Sequence, residues 1–201
     1  NTFKADIFVP VWTRLLYAND WLRTNSTPFV ASVSDNGNHY QVDLQNLMDQ
    51  RLENIRVVVN QAIFELEPLQ PNEKKSVQLD PAKGVAIRTW VQQNGVYFRG
   101  AIDRRRNPLG DTSGGQLEDR PLTATVASFI SHLNEAGISG RNFISPAGID
   151  LTPQVERGDA VVFAWLPNFG FEEKVNRFNP PRYRRDTLLR LSVGLKQKNA
   201  I

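Results

Sequence analysis

Cysteine is absent from the 201 residues, which removes disulfides, Cys-ligated zinc, iron–sulfur clusters and thiol catalysis at once. Secreted eukaryotic domains of this size usually carry disulfides, so a Cys-free chain leans bacterial. Histidine occurs only at His39 and His132. That is little material for a general base, and the pair has no His-x-x-x-His spacing for a transition metal. Long apolar runs are missing too. The longest, Ile7–Trp12 and Ala160–Pro167, fall far short of the roughly 18 residues a spanning helix needs. Asn1 to Lys4 lack the basic start and apolar stretch of a signal peptide, and a start at Asn reads as a piece trimmed from something longer.

What is present is the composition of a folding chain. Hydrophobic residues make up 40%, and the net charge is only +3, far from the apolar-poor, highly charged balance that keeps chains disordered. Arginine outnumbers lysine 17 to 7. The arginines are spread along the sequence, so charge alone does not point to nucleic acid.

Turn signals organise the middle of the chain. Phe29 to Ser34 and His39 to Leu44 alternate on either side of Asp35-Asn36-Gly37-Asn38, a strong hairpin pattern. A second pair, Ile55 to Val59 and Ile63 to Leu66, is joined at Asn60-Gln61, and Ser76 to Leu79 follows the Pro68 to Glu73 loop. Five short strands at this spacing predict a mainly β fold, a β-sandwich. Val85 to Gln93 fits a short helix or a strand, Gly95 to Ile102 reads as extended, and Arg104 to Arg120 as an exposed loop. Val126, Phe129, Ile130 and Leu133, after Pro121 and before Gly137, predict one α-helix over 123–136. Ala160 to Leu166 and Thr187 to Leu195 read as closing strands, with Trp165 in the sandwich core. The expected organisation is an N-terminal segment 1–27, a sandwich part 28–82, and a second β-rich part 83–201, separate from it or continuous with it.

The stretch from Tyr40 to Val59, continuing from Phe64 to Leu79, resembles Ig-like domains of bacterial envelope and membrane-anchored proteins. An Asn ending one strand, a polar turn, a Leu, a further strand, then a Leu-x-Pro turn and a closing strand carry the likeness. Asn46 is placed to cap the turn, Leu52 to plug the open end of the sandwich, and Pro71-Asn72-Glu73 to preset a tight reversal. The resemblance implies an extracytoplasmic setting, in the periplasm or at the cell surface, and a spacer, docking or ligand-binding role. It does not fix which.

Several motifs invite sharper readings. Gly110-Asp111-Thr112-Ser113-Gly114-Gly115 looks like a serine-protease nucleophile loop with an inserted Thr, but neither histidine sits in a matching context. His132, one position before Leu133, reads as a partly exposed surface residue. Asp43, Asp49 and Glu53 bring carboxylates towards one end of the sandwich without a calcium-loop spacing. Arg157-Gly158-Asp159 reads as a turn. Arg104, Arg105 and Arg106, and Arg182, Tyr183, Arg184 and Arg185, form two clusters that would make an anion site if the fold joined them; the bland alternative is surface ion pairing. Trp12, Tyr17 and Trp21, or Phe169, Phe171 and Phe178, would suit a sugar platform or simple core-edge packing.

The reading that follows is a non-catalytic structural or protein-interaction module of a bacterial envelope or secretory assembly, its partners other subunits or the rest of a larger envelope protein. No cofactor and no metal are expected. The alternative is a carbohydrate- or anion-binding module, for instance for an acidic polysaccharide, using the arginine clusters and exposed aromatics.

Overall fold

A computed structural model describes residues 27–106, 119–137, 148–169 and 186–197, with 101–106 as backbone only. The strands are β1 (Phe29–Asp35), β2 (Tyr40–Asn46), β3 (Glu53–Val59), β4 (Ala62–Leu66), β5 (Lys74–Leu79), β6 (Val85–Ala86), β7 (Ala160–Leu166), β8 (Thr187–Val193) and β9 (Lys196–Gln197). The helices are α1 (Ile87–Arg106), α2 (Arg120–Val126), α3 (Ile130–Glu135) and α4 (Thr152–Glu156). The fold is mainly β, a sandwich of a four-stranded sheet in the order β5-β2-β1-β9 and a five-stranded sheet in the order β6-β4-β3-β7-β8. β7 and β8 share a sheet with β3 and β4, so strands from both sides of residue 83 build the same sandwich.

Strand alternation sets the first core. Phe29, Ala31 and Val33 of β1 and Tyr40, Val42 and Leu44 of β2 face inward, meeting Ile55, Val57 and Val59 of β3 and Ala160, Val162, Ala164 and Leu166 of β7. The opposite face of the five-stranded sheet is covered as well. Val58, Ile63, Val161 and Phe163 pack against Ile87, Trp90 and Val91 of α1, Leu122 and Val126 of α2, and Phe129, Leu133 and Val155. The molecule is therefore three layers, sheet on sheet on helices. Trp165 is buried, but alternation puts it on the helix-facing side with Val161 and Phe163 instead of in the sandwich core.

Two expectations need correction. First, Gly95 to Ile102 is not extended, and Arg104 to Arg106 are not loop: all belong to the 20-residue α1. Ile87, Trp90 and Val91 lie at i, i+3 and i+4, and buried Gly95 continues that stripe. Gly95 and Gly100 mask the pattern, since each costs a helix interior about 1 kcal/mol relative to Ala. Second, 123–136 is two helices. Asp119 caps α2, its carboxylate accepting from Leu122 N at 2.8 Å, while Ser128 and Phe129 close tight turns onto Thr125 and Val126 carbonyls. The Ser128 carbonyl accepts from Leu151 N at 2.8 Å, and Asp150 accepts from Ser131 N at 3.1 Å. Tertiary partners thus take groups that a continuous helix would use internally. The sequence predicts no element at 152–156, where Thr152-Pro153 opens α4, with Pro153 in the first turn where its missing N–H costs nothing.

The open end of the sandwich is closed by a buried amide. Asn46, fully buried, donates through Nδ2 to the Gln50 carbonyl at 2.7 Å and the Gln70 carbonyl at 2.9 Å, and its Oδ1 accepts from Met48 N at 3.0 Å. Leu52 and Leu69 bridge beside it, both buried, and Asn72 takes the left-handed conformation (φ 58°) that lets the chain reverse.

Among the glycines whose surroundings are described outside α1, Gly84 is the one packed against another segment. A Cβ at this position would sit 2.5 Å from Phe64 Cζ and 2.8 Å from Ala62 Cβ. Phe64 is held edge-on against Tyr40, with ring centroids 6.2 Å apart. Gly84→Ala is therefore expected to destabilise the protein by about 1–3 kcal/mol through overpacking, read by urea denaturation; an unchanged midpoint would show that Phe64 yields freely.

Candidate interaction edge

The sequence-predicted anion site falls mostly outside the described residues. Arg104, Arg105 and Arg106 form the last turn of α1. Their side chains, and all of Arg182, Tyr183, Arg184 and Arg185, lie outside the described residues. The same holds for 110–115, Trp12, Tyr17, Trp21, Phe171 and Phe178. Phe169 packs at the edge of the sandwich core. Arg157-Gly158-Asp159 is a turn, with Gly158 at φ 92°.

His132 is not a surface residue. Only 5% of it is exposed; its ring stacks on Phe129, and Nδ1 lies 3.3 Å from Glu135 Oε2, which also pairs with Arg88 of α1 at 2.8 Å. Through Glu135, which reaches both His132 and Arg88, α3 is tied to α1. His39 stands in the β1–β2 turn with Nε2 3.1 Å from Asn36 Nδ2. Asp43 lies on the outer face of the four-stranded sheet, accepting from Ser32 and Ser76. Among the described residues, no three His, Asp or Glu side chains come together to hold a metal ion.

Arg56 is the buried charge that sequence reasoning passed over. It shares the helix-facing side of β3 with Val58, 5% exposed, its guanidinium 5.6 Å from the Trp90 ring centroid. Nε donates to Glu65 Oε1 at 3.1 Å and Nη1 to Thr125 Oγ1 at 3.4 Å. The ring face and the rim carboxylate compensate a charge that would otherwise be costly to bury. A charged residue inside Ile55-Arg56-Val57-Val58-Val59 was the available signal.

Among the described residues, one sheet edge is only partly paired. Bonds from Asn36 N to the His39 carbonyl (3.0 Å) and from Leu47 N to the Pro28 carbonyl (3.1 Å) set the phase of the β1–β2 ladder. Even-numbered β1 residues exchange bonds with β2; odd-numbered ones point the other way. On that side β9 pairs only at Ser34 and Asp35. Phe29 and Ala31 thus direct N–H and C=O groups to a side that no strand among the described residues pairs, and both residues are buried. Beside it, β8 ends at Val193 and the chain crosses from the five-stranded sheet into β9 of the other. Leu189, Leu191 and Val193 are left only partly buried. The other edges are defended differently: β5 carries Lys74 and Lys75, the latter bound to Glu67 at 2.6 Å, and β6 is two residues long.

Compared with known proteins, the chain matches no family model, no curated protein and no solved structure.

Asp150 ties the helical layer together and carries its clearest electrostatic signature. Partial burial pushes its carboxyl up, but hydrogen bonds from Ser131 and Thr152 outweigh this and hold it below the ordinary aspartate range. A carboxyl depressed in the folded state stabilises fully above its unfolded pKa, about 3.9, and that contribution is lost as pH falls through the lower folded value. Asp150→Asn is therefore expected to lower stability at neutral pH, with the gap to the parent closing below about pH 4. Denaturant midpoints across pH measure it; a gap constant with pH would contradict the assignment.

Proposed function

We propose that this chain is a non-catalytic structural and protein-interaction module of a bacterial envelope or secretory assembly, held outside the cytoplasm. The observation that carries the reading is the Phe29–Val33 edge. Its main-chain groups, which no described strand pairs, suit an extended segment from another subunit, which would add a strand to the four-stranded sheet. Main-chain bonds would supply affinity, and side chains of the added strand would settle on the partly buried Leu189, Leu191 and Val193. The resemblance of residues 40–79 to Ig-like envelope domains supports the setting. The rival reading, a carbohydrate- or anion-binding module, draws on Arg182 to Arg185, outside the described residues, and no described arrangement favours it.

Val30 lies on the outer face of this edge strand and is 47% exposed, so Val30→Lys places a charge there without touching the core. Photo-crosslinkers at Ser32 and, as a control, at Lys75 would be compared in cells of the source organism. Crosslinks to a subunit concentrated at Ser32 and lost with Val30→Lys, at a stability change within about 0.5 kcal/mol, are expected. Equal yields at both positions, or none, would contradict the reading.

A further inference from the structure

The chain contains two Asn-Gly pairs, Asn36-Gly37 and Asn94-Gly95. An asparagine followed by glycine is chemically vulnerable, because no Cβ hinders the next main-chain nitrogen from reaching the asparagine's side-chain carbonyl carbon. We propose that folding sorts the two pairs, making Asn36 a site of spontaneous hydrolytic modification in the native protein and sparing Asn94.

The reaction balances without any reagent except water. Gly37 N, having given up its proton, attacks Cγ of Asn36. The new C–N bond forms as the bond from Cγ to Nδ2 breaks, and Nδ2 takes up a proton and leaves as ammonia. Water then opens the cyclic imide at either carbonyl, yielding aspartate or isoaspartate. One water is consumed, one ammonia is released, and nothing is oxidised or reduced.

The two sites differ in how tightly the participating atoms are held. Asn94 lies inside α1, where Gly95 is buried and the helix ladder fixes its nitrogen. The leaving group is fixed too, since Asn94 Nδ2 donates to the Trp90 carbonyl at 2.8 Å. Reaction there requires opening the helix against its packing on the five-stranded sheet. Gly37 stands in an exposed turn at φ 84°, with open space where a Cβ would be. Its N–H donates to the Asp35 carboxylate at 2.7 Å, a side chain free to swing aside, and no ladder carbonyl takes it. His39 Nε2, 3.1 Å from Asn36 Nδ2, is the contact on the leaving group. A local rearrangement of two side chains is thus enough to free Asn36, whereas Asn94 waits on helix opening. Conversion would add a negative charge beside Asp35, and the isoaspartate form would lengthen the backbone at the turn joining β1 to β2.

The test incubates the full chain in mildly alkaline buffer, with and without urea, and follows both peptides by mass spectrometry with isoaspartate-resolving chromatography. In native buffer Asn36 is expected to convert at least about tenfold faster than Asn94, while in urea the two convert at comparable rates. Equal native rates, a faster Asn94, or an Asn36 that converts only in urea would overturn the proposal. So would the absence of conversion at either site in both conditions.

Discussion

Burial of both faces of the β3–β7 pair is the constraint on which the rest of the structure depends. All seven residues of β7 are buried, as are the last five of β3. A strand in that position has no solvated side, so it reads as a continuous apolar run without alternation, and it demands a layer on each face. The four-stranded sheet supplies one and the helices the other. Arg56 follows from the same constraint. On a half-solvated sheet its side chain would reach water directly; here it must thread past Trp90 to a carboxylate at the rim. The two register-shifted residues of β3 between Glu53 and Arg56, with Asn54 at φ 47°, are where this central strand adjusts to its partner.

The sandwich ends are settled by different means. At the end carrying the 47–51 and 69–72 turns, one buried amide ties the turns together, since Asn46 bonds to three main-chain groups, the Gln50 and Gln70 carbonyls and Met48 N. Along the side, the path through β8 and β9 belongs to both sheets in turn. Such a crossing closes the sandwich near Ser34 and Asp35 but leaves the start of β1 without a partner among the described strands, and the proposed interface arises there from topology more than from side-chain chemistry.

Legibility in the sequence followed the range of the interactions. The Asn-Gly hairpin, the Asn60-Gln61 turn, the Asn46 cap and the alternation of β1 and β2 are local, and each stands where the residues put it. The runs Val57-Val58-Val59 and Ala160–Leu166 announced strands, yet the helical layer they require was hidden, because Gly95 and Gly100 interrupt the one long helix that covers them. The break at Ser128 could not be seen either: its cause is Leu151 and Asp150, more than twenty and nearly twenty residues downstream of the groups they bind. The partly paired edge was invisible for a related reason, since a strand's place in its sheet is set by its neighbours and not by its own residues. The arginine clusters were legible as charge, but charge in sequence says nothing about whether a fold joins it.

If the double burial of β3 and β7 governs the fold, weakening either of its interfaces must weaken all three layers together. Val162 faces the sandwich core and Phe163 the helices, so truncating each probes one interface. Native-state hydrogen exchange on Val162→Ala and Phe163→Ala is the direct measurement. In the parent protein, β3 and β7 amides are predicted to be the slowest to exchange. Each variant should then lower protection there and in β1 and β2 by one common amount, about 3–5 kcal/mol for the Phe truncation. If Phe163→Ala exposes the helices while β1, β2, β3 and β7 keep their parent protection, the helical layer is an independent addition and the central claim fails.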